Sequence, residues 1–272
     1  MTAPGRWAGC AALVTGASGG IGEELAVQLV QGGAMVAIAA RRHAELERVA
    51  GRCRAAIPGA AVHIIVADVS DRGQAEGMVA EAVQLMGRID LLVNNAGQGM
   101  WGRADAMQDL SVYETMLRVN YLSVVWVTLA ALPYVKTARG RIAGVGSLSG
   151  KIGVPLRSGY GAAKHAMTGF MDSLRIELRE AGVSVTMIHP GFVTTGSQAR
   201  NLGADGKLLG QMPLKVGAGL SAADCASLLL DAAHARRRDV FPGWRAKLAL
   251  WLRLVAPGLV DSMTARAIQG KR

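Results

Sequence analysis

The chain has few aromatic residues, few cysteines and too few acids to balance its bases. Phe, Trp and Tyr make up 4% of 272 residues. Single-strand nucleic-acid grooves stack bases on aromatic side chains beside a basic stripe, and here the arginines are dispersed with no such platform, so nucleic acid is not the expected partner. The three cysteines, Cys10, Cys53 and Cys225, lie far apart with no CxxC spacing. That excludes a disulfide scaffold and a thiolate metal centre, and reads as free thiols in a reducing, cytoplasmic compartment. No His, Cys, Asp or Glu cluster has ligand spacing, so no metal is expected. A secretory leader is also missing, because the first apolar run leads into a glycine turn instead of a cleavage site. The longest uncharged run, residues 119–135, is shorter than the roughly 20 residues of a membrane span and contains Pro133, which favours a buried helix. The shortage of acid leaves a formal net charge of +10. A balance of this kind favours anionic partners such as phosphorylated small molecules or an acidic lipid surface.

Apolar residues are plentiful: hydrophobic residues make up 51% of the chain, ample for a sizeable core. Short apolar runs (CAALVT, MVAIAA, VHIIVAD, IDLLVNN, RIAGVGS, VSVTMIHPG and finally DVFPG) alternate with helical patterns at about residues 20–31, from 44, at 73–86 and at 111–135. The runs are apolar on both sides of the strand alternation, as in a parallel sheet covered on both faces. The expected fold is α/β: a single doubly wound, Rossmann-type parallel sheet with helices on both faces and ligand chemistry at the carboxyl ends of its strands. It is expected to occupy residues 1–242, with residues 243–272 a helical extension. Residues 197–219 read as one long irregular stretch placed to close over a substrate.

The segment TGASGGIG, residues 15–22, joins the first strand to the first helix. Glycines there permit the tight turn and the close approach of a pyrophosphate, while the helix N-terminus offers free amides and a partial positive charge. About 20 residues on, a dinucleotide site that takes NAD carries an acid for the ribose hydroxyls. This chain has Ala40, Arg41 and Arg42 there. Guanidinium groups match a phosphate, so the corner favours NADP(H).

A tyrosine and a lysine four residues apart, Tyr160 and Lys164, share one face of a helix padded with glycine and alanine. Together with the glycine turn, Asp68–Val69, NNAG at residues 94–97, Asn120, Ser147 and PGFVTT from Pro190, they fall in an order and spacing that resembles the classical branch of the short-chain dehydrogenase/reductase family over about residues 13–240. The resemblance implies an oxidoreductase that interconverts a carbonyl and an alcohol. It implies that Gly16, Ser18, Gly20, Ile21 and Gly22 lie at the pyrophosphate, that Asp68 and Val69 hold the adenine, and that Asn95, Ala96 and Gly97 flank the cofactor. Pro190, Gly191, Val193 and Thr195 would bracket the nicotinamide. Tyr160 would be the acid/base, Lys164 would support it and hold the ribose, Ser147 would steady the substrate oxygen, and Asn120 would anchor a proton-relaying water. NADP-preferring members often carry a basic residue just before the second motif glycine, where this chain has Gly19, so its NADP preference leans on Arg41, helped by Arg42. A homodimer or homotetramer is the implied assembly.

Tyrosine ionises near pH 10 in water. Bringing it down by about 3 units takes roughly 4 kcal/mol of preferential stabilisation of the tyrosinate, and a neighbouring ammonium has the right sign. His189, beside Pro190, and His165, turned about 100° from Lys164 around the helix, are expected to serve packing and not catalysis. Glu177 and Glu180 read as a solvated helix end. In the tail, Trp244, Leu248, Trp251, Leu252 and Val255 form one apolar stripe, away from Arg245, Lys247 and Arg253. Three readings stay open for residues 244–255: packing on the core or a second subunit, peripheral contact with an anionic membrane, or the entrance of a lipid-like substrate. An apolar steroid-, retinoid-, acyl- or xenobiotic-like carbonyl is the expected substrate. The rivals are a 3-oxoacyl-thioester reductase and a non-catalytic NADPH-binding protein attached through its tail.

Overall fold

The computed structural model describes residues 5–211 and 219–269. The elements run β1 (Ala11–Thr15), α1 (Gly20–Gln31), β2 (Met35–Ala40), α2 (His43–Ala56), β3 (Val62–Val66), α3 (Arg72–Met86) and β4 (Leu91–Asn94). They continue with α4 (Ser111–Leu117), α5 (Ser123–Thr137), β5 (Arg141–Val145), α6 (Ser158–Glu177), β6 (Ser184–Ile188), β7 (Val193–Thr194) and β8 (Leu220–Ser221). The last are α7 (Ala222–His234), β9 (Asp239–Val240), α8 (Trp244–Val255) and α9 (Pro257–Gln269). Seven strands form one sheet in the order β3-β2-β1-β4-β5-β6-β9, and every pairing is parallel. The fold is the doubly wound α/β sheet expected from the alternation of strands and helices.

Strand order reverses between β1 and β4, where Val14 pairs with Ile38 on one side and Val93 on the other. Ligands bind at such a switch point because the connecting segments diverge there and leave a crevice beyond the strand ends. Side chains alternate across the sheet into two cores. Val14, Ile38 and Val93 join α1, α2 and α7 on one face, and Leu13, Leu92 and Ile142 join α3, α5 and α6 on the other. Burial on both faces explains why the strands read as near-continuous apolar runs.

Local signals set several helix ends. Asp71 caps α3 by accepting from the Gln74 amide at 2.8 Å, and Gly87 ends it in the left-handed conformation at φ 76°. Ser221 caps α7 through the Asp224 amide at 3.0 Å. At α1 the N-cap is Gly19 and no side chain takes up the first-turn amides, which leaves them facing the crevice.

Two expectations gain detail. The helix expected at residues 111–135 is one continuous run, Ser111–Thr137, with a π turn over Arg118–Leu122 between α4 and α5, and it passes through Pro133. A proline removes one amide and crowds the carbonyl one turn back, at Leu129, and Leu129 lies on the exposed face where that carbonyl can be hydrated. The stretch at residues 197–219 is not wholly irregular. It begins with a 3-10 turn over Gly196–Arg200 and pairs Leu202 with Met100 and Leu208. Its flanks, β7 and β8, pair in parallel through Val193–Leu220 and Thr194–Ser221, while residues 212–218 of the expected stretch lie outside the described residues.

Candidate active site

The crevice at the switch point is a cleft of about 330 Å³. Its walls carry Gly16, Ser18, Gly20, Ile21, Arg41, Arg42, Asp68, Val69, Asn95, Ala96 and Gly97, then Asn120, Ser147, Tyr160, Lys164, Pro190, Gly191, Val193 and Thr195. Of the residues picked out in the sequence, only Gly22 stands behind this wall. A Cβ there would sit 2.4 Å from the Gly16 carbonyl oxygen and 2.5 Å from Asn95 Nδ2, so Gly22 serves the packing of α1 under the turn. Gly16 and Gly20 adopt φ 66° and 58°, conformations that favour glycine. A Cβ on Gly16 would meet the Ala96 Cα at 2.7 Å.

The loop after β4 is tied to the glycine turn. Thr15 Oγ1 accepts from the amides of Asn95 at 3.0 Å and Ala96 at 3.1 Å, and Asn95 Nδ2 donates to the Thr15 carbonyl at 2.9 Å. At the far end of the cleft the guanidiniums gather. Arg41 Nη1 lies 3.6 Å from Asp68 Oδ2, and Arg42 Nη2 donates to Ser18 Oγ at 3.0 Å. Burial works to raise the Asp68 pKa. The Ser70 amide and hydroxyl, then Arg41, outweigh it and leave the carboxyl below its ordinary value. Arg200, from the 3-10 turn, lines the same cleft, and burial followed by the charge of Arg42 lowers its pKa. The open amides of α1, the glycine cradle and three cations at one end suit a dinucleotide whose ribose carries a further phosphate.

At the other end, three elements bring the reactive side chains together. Ser147 follows β5 and accepts from the Ser149 amide at 3.1 Å. Lys164 is buried on α6, where its Nζ donates to the Val145 carbonyl at 2.8 Å and lies 5.8 Å from the Tyr160 ring centre. Asn120, fully buried in the π turn, donates through Nδ2 to the carbonyls of Gln98 at 2.8 Å and Met116 at 3.0 Å, and its Oδ1 accepts from the Gln98 amide at 3.2 Å. The carboxamide thus latches the loop after β4 to the helix. A π turn widens the backbone locally, and such turns recur at functional sites. Burial pushes the Tyr160 phenol up, but Lys164, Arg157 and the Ser147 hydroxyl together bring it below its ordinary value. Lys164 is lowered as well, by burial first.

Two arginines of the cleft escape a motif reading. Arg200 lies in a stretch without recognisable periodicity, on a segment whose placement is set by contacts between distant parts of the chain, among them a hydrogen bond from Gln98 Nε2 to the Arg200 carbonyl. Arg157 stands three residues before Tyr160, a spacing that brings side chains together on a helix and could have flagged it. His189 is buried and held in place, and His165 is exposed on its helix. His189 Nε2 lies 2.8 Å from Asp239 Oδ1 with its ring stacked on Phe241, and His165 Nδ1 lies 2.8 Å from the Gly161 carbonyl oxygen on an exposed face. Glu177 and Glu180 are exposed, as expected. Among the described residues no group of three or more His, Cys, Asp or Glu side chains could hold a metal ion.

A parallel switch-point cleft with a glycine cradle, and a tyrosine and lysine on one helix facing it, defines the class of dinucleotide-binding oxidoreductases with a doubly wound sheet. Residues 10–204 match the short chain dehydrogenase family model, and the chain belongs to the short-chain dehydrogenase/reductase family. It is 38% identical over 253 residues to a dehydrogenase/reductase SDR family protein 7-like from Anopheles gambiae, covering 91% of this chain and 79% of that protein. Its fold is similar to that of an alcohol dehydrogenase from Thermococcus sibiricus solved with 5-hydroxy-NADP (TM-score 0.74, 26% identity, 85% and 95% of the two chains). It is also similar to that of a Burkholderia phymatum short chain dehydrogenase/reductase solved with NAD (TM-score 0.81, 24% identity, 93% and 96%). Nicotinamide cofactors thus occupy this fold in both forms, phosphorylated and not.

Proposed function

We propose that the protein is an NADP(H)-dependent oxidoreductase interconverting a carbonyl and a secondary alcohol on a largely apolar small molecule. The observation that carries the reading is the meeting of Ser147, Tyr160 and Lys164 at one end of a cleft whose other end holds Arg41, Arg42 and Arg200. Gly16, Ser18, Gly20 and Ile21 would hold the pyrophosphate, Asp68 and Val69 the adenine, and Pro190, Gly191, Val193 and Thr195 the nicotinamide end. A bound nicotinamide supplies or accepts the hydride. The protein's part is the proton. In the reductive direction the Tyr160 hydroxyl donates to the oxygen that gains charge, while the Ser147 hydroxyl holds that oxygen in place. In the oxidative direction the tyrosinate accepts the alcohol proton, and Lys164 stabilises the anion. Trp101, Phe192 and Ile268, gathered in one apolar cluster beside the cleft, support an apolar substrate. A 3-oxoacyl thioester is the rival substrate.

The cofactor reading is tested by fluorescence titration with NADPH and with NADH. Affinity for NADPH at least tenfold greater is the expected result. Equal affinities would reduce the arginine corner to surface charge, and binding of neither would remove the enzymatic reading.

A peripheral membrane contact through residues 244–255 has its own support. In α8 only Ala246 is buried, while Trp244, Leu248, Trp251, Leu254 and Val255 are exposed beside Arg245, Lys247 and Arg253. An apolar face with tryptophans and flanking bases suits an anionic lipid surface. Association with anionic liposomes that is lost on deletion of residues 244–255 is expected; undiminished association would overturn it. The helical stretch Ser111–Thr137 is long and apolar enough to cross a membrane, but it packs on the sheet and carries Asn120 into the cleft, which supports a core role. Exposed Leu129, Tyr134 and Ile176 on α5 and α6 support a homodimer or homotetramer through those helices.

A further inference from the structure

We propose that Arg157 is a second cationic partner of Tyr160, a positioning residue that works with Lys164 to hold the phenol poised for proton transfer. The proposal rests on the reading of Tyr160 as the acid/base.

Its guanidinium lies 4.3 Å from the Tyr160 ring centre and 5.5 Å from that of Trp101, in the wall of the cleft. Arg157 is half-buried, and a cation drawn partly out of water is normally paired with a carboxylate. Arg157 has no such partner within salt-bridge reach among the described residues, and its buried Nε has no hydrogen-bond acceptor. Its charge is therefore not neutralised locally, and the nearest group able to become an anion is Tyr160.

The backbone holds Arg157 there at a cost. Leu156, immediately before it, sits at φ 68°, a conformation that a branched side chain rarely adopts. The conformation is pinned from two sides. The Gly102 amide donates to the Leu156 carbonyl at 2.9 Å, and the Leu156 side chain packs in the cluster of Trp101 and Ile268. Strain retained beside a cleft and fixed by its surroundings is consistent with aiming the next side chain.

The charged and titratable groups facing Tyr160 are few. Lys164 comes from its own helix, Arg157 from the turn before that helix, and Ser147 from the end of β5. From α4 comes Tyr113, whose hydroxyl pairs with Ser158 Oγ at 3.0 Å, amid apolar Val112 and Met116. Among the described residues no carboxylate opposes the two cations. Losing the phenolic proton strengthens both the charge–charge attraction to the guanidinium and the attraction of the ring face, so Arg157 favours the tyrosinate by two effects of one sign.

The test is an ultraviolet difference titration of the cofactor-bound protein, each variant read against its own Tyr160→Phe counterpart so that only Tyr160 contributes. In Arg157→Met the tyrosinate midpoint should rise by about one pH unit, a tenfold change in proton affinity. In Arg157→Lys it should return most of the way. The rising limb of alcohol oxidation against pH should move with it while KM changes less than about threefold. Arg157→Gln serves as the neutral variant should Arg157→Met fail to bind cofactor. An unmoved midpoint in a cofactor-binding neutral variant overturns the proposal. So does an unmoved midpoint with a large KM rise confined to carboxylate-bearing substrates, which would make Arg157 a substrate anion clamp. The titration needs no turnover, so its failure is separable from failure of the acid/base reading, which Tyr160→Phe activity reports.

Discussion

The two ends of the cleft are both lined with positive charge, and they use it in opposite ways. At the arginine corner, Arg41 is 64% exposed in its side chain and loosely paired with Asp68, and Arg42 is tied to Ser18. At the tyrosine end, Lys164 is 4% exposed and no acid among the described residues faces it or Arg157. Solvent screens an exposed cation, so it contributes modest, salt-sensitive affinity and serves for selecting a ligand. A buried cation without a counterion exerts its field on whatever neighbour can ionise. On the proposed reading, the same residue type would recognise a ligand at one end and tune a proton at the other.

The comparison breaks most sharply at Tyr160. Tyr160→Phe should reduce turnover by about a thousandfold, the scale of a lost general acid–base group, while NADPH affinity measured by fluorescence stays within about twofold. A variant with retained turnover would mean that the buried cations tune nothing catalytic. Arg200→Ala should act in the reverse sense, weakening NADPH about tenfold, or about 1.4 kcal/mol, with NADH affinity and kcat unchanged. Equal losses for both cofactors would place Arg200 on the shared pyrophosphate instead. The smallest effect is ionic. Raising salt from low to physiological should weaken NADPH binding a few-fold, yet leave the pH at which alcohol oxidation reaches half its maximum in place. That pH should lie below the free tyrosine value, because the tyrosinate is the active base and its neighbours lower the phenol's pKa. A pH limb that moved with salt would show that the tyrosine end is open to solvent.

Much of this arrangement was legible in the sequence because it is carried by local spacing. The glycine turn sits between β1 and α1, the Tyr160–Lys164 pair keeps one helical face, and Ser147 follows β5, so each motif arrives at a strand's carboxyl end once the strands are placed. What was hidden depends on contacts between distant segments. Arg200 comes from a segment held by the pairing of Val193 and Thr194 with Leu220 and Ser221 and by the backbone bonds of Leu202 to Gly99 and Trp101, all far apart in sequence. The inward turn of Arg157 depends on Leu156 being held by Gly102 and the Trp101 cluster. The tail divides in a way its periodicity does not disclose. The stripe on α8 faces outward, whereas Val260 and Ile268 of α9 are buried, Ile268 against Trp101. Gly22 has the spacing of a cleft residue and the packing of a buried one.

The short β7–β8 pairing has a further consequence. It fastens both ends of the segment between Thr194 and Leu220, and Leu202 within that segment is tied by its backbone to Gly99 and Trp101. The entropy of closing a loop grows only with the logarithm of its length, each doubling costing about 0.6 kcal/mol. A change in the length of this excursion should therefore cost little stability, whereas a change of sequence within it would reach Thr195 and Arg200 in the cleft wall and Leu209 in the cluster beside Arg157. The clasp forgives length and the residues inside it do not forgive rewriting.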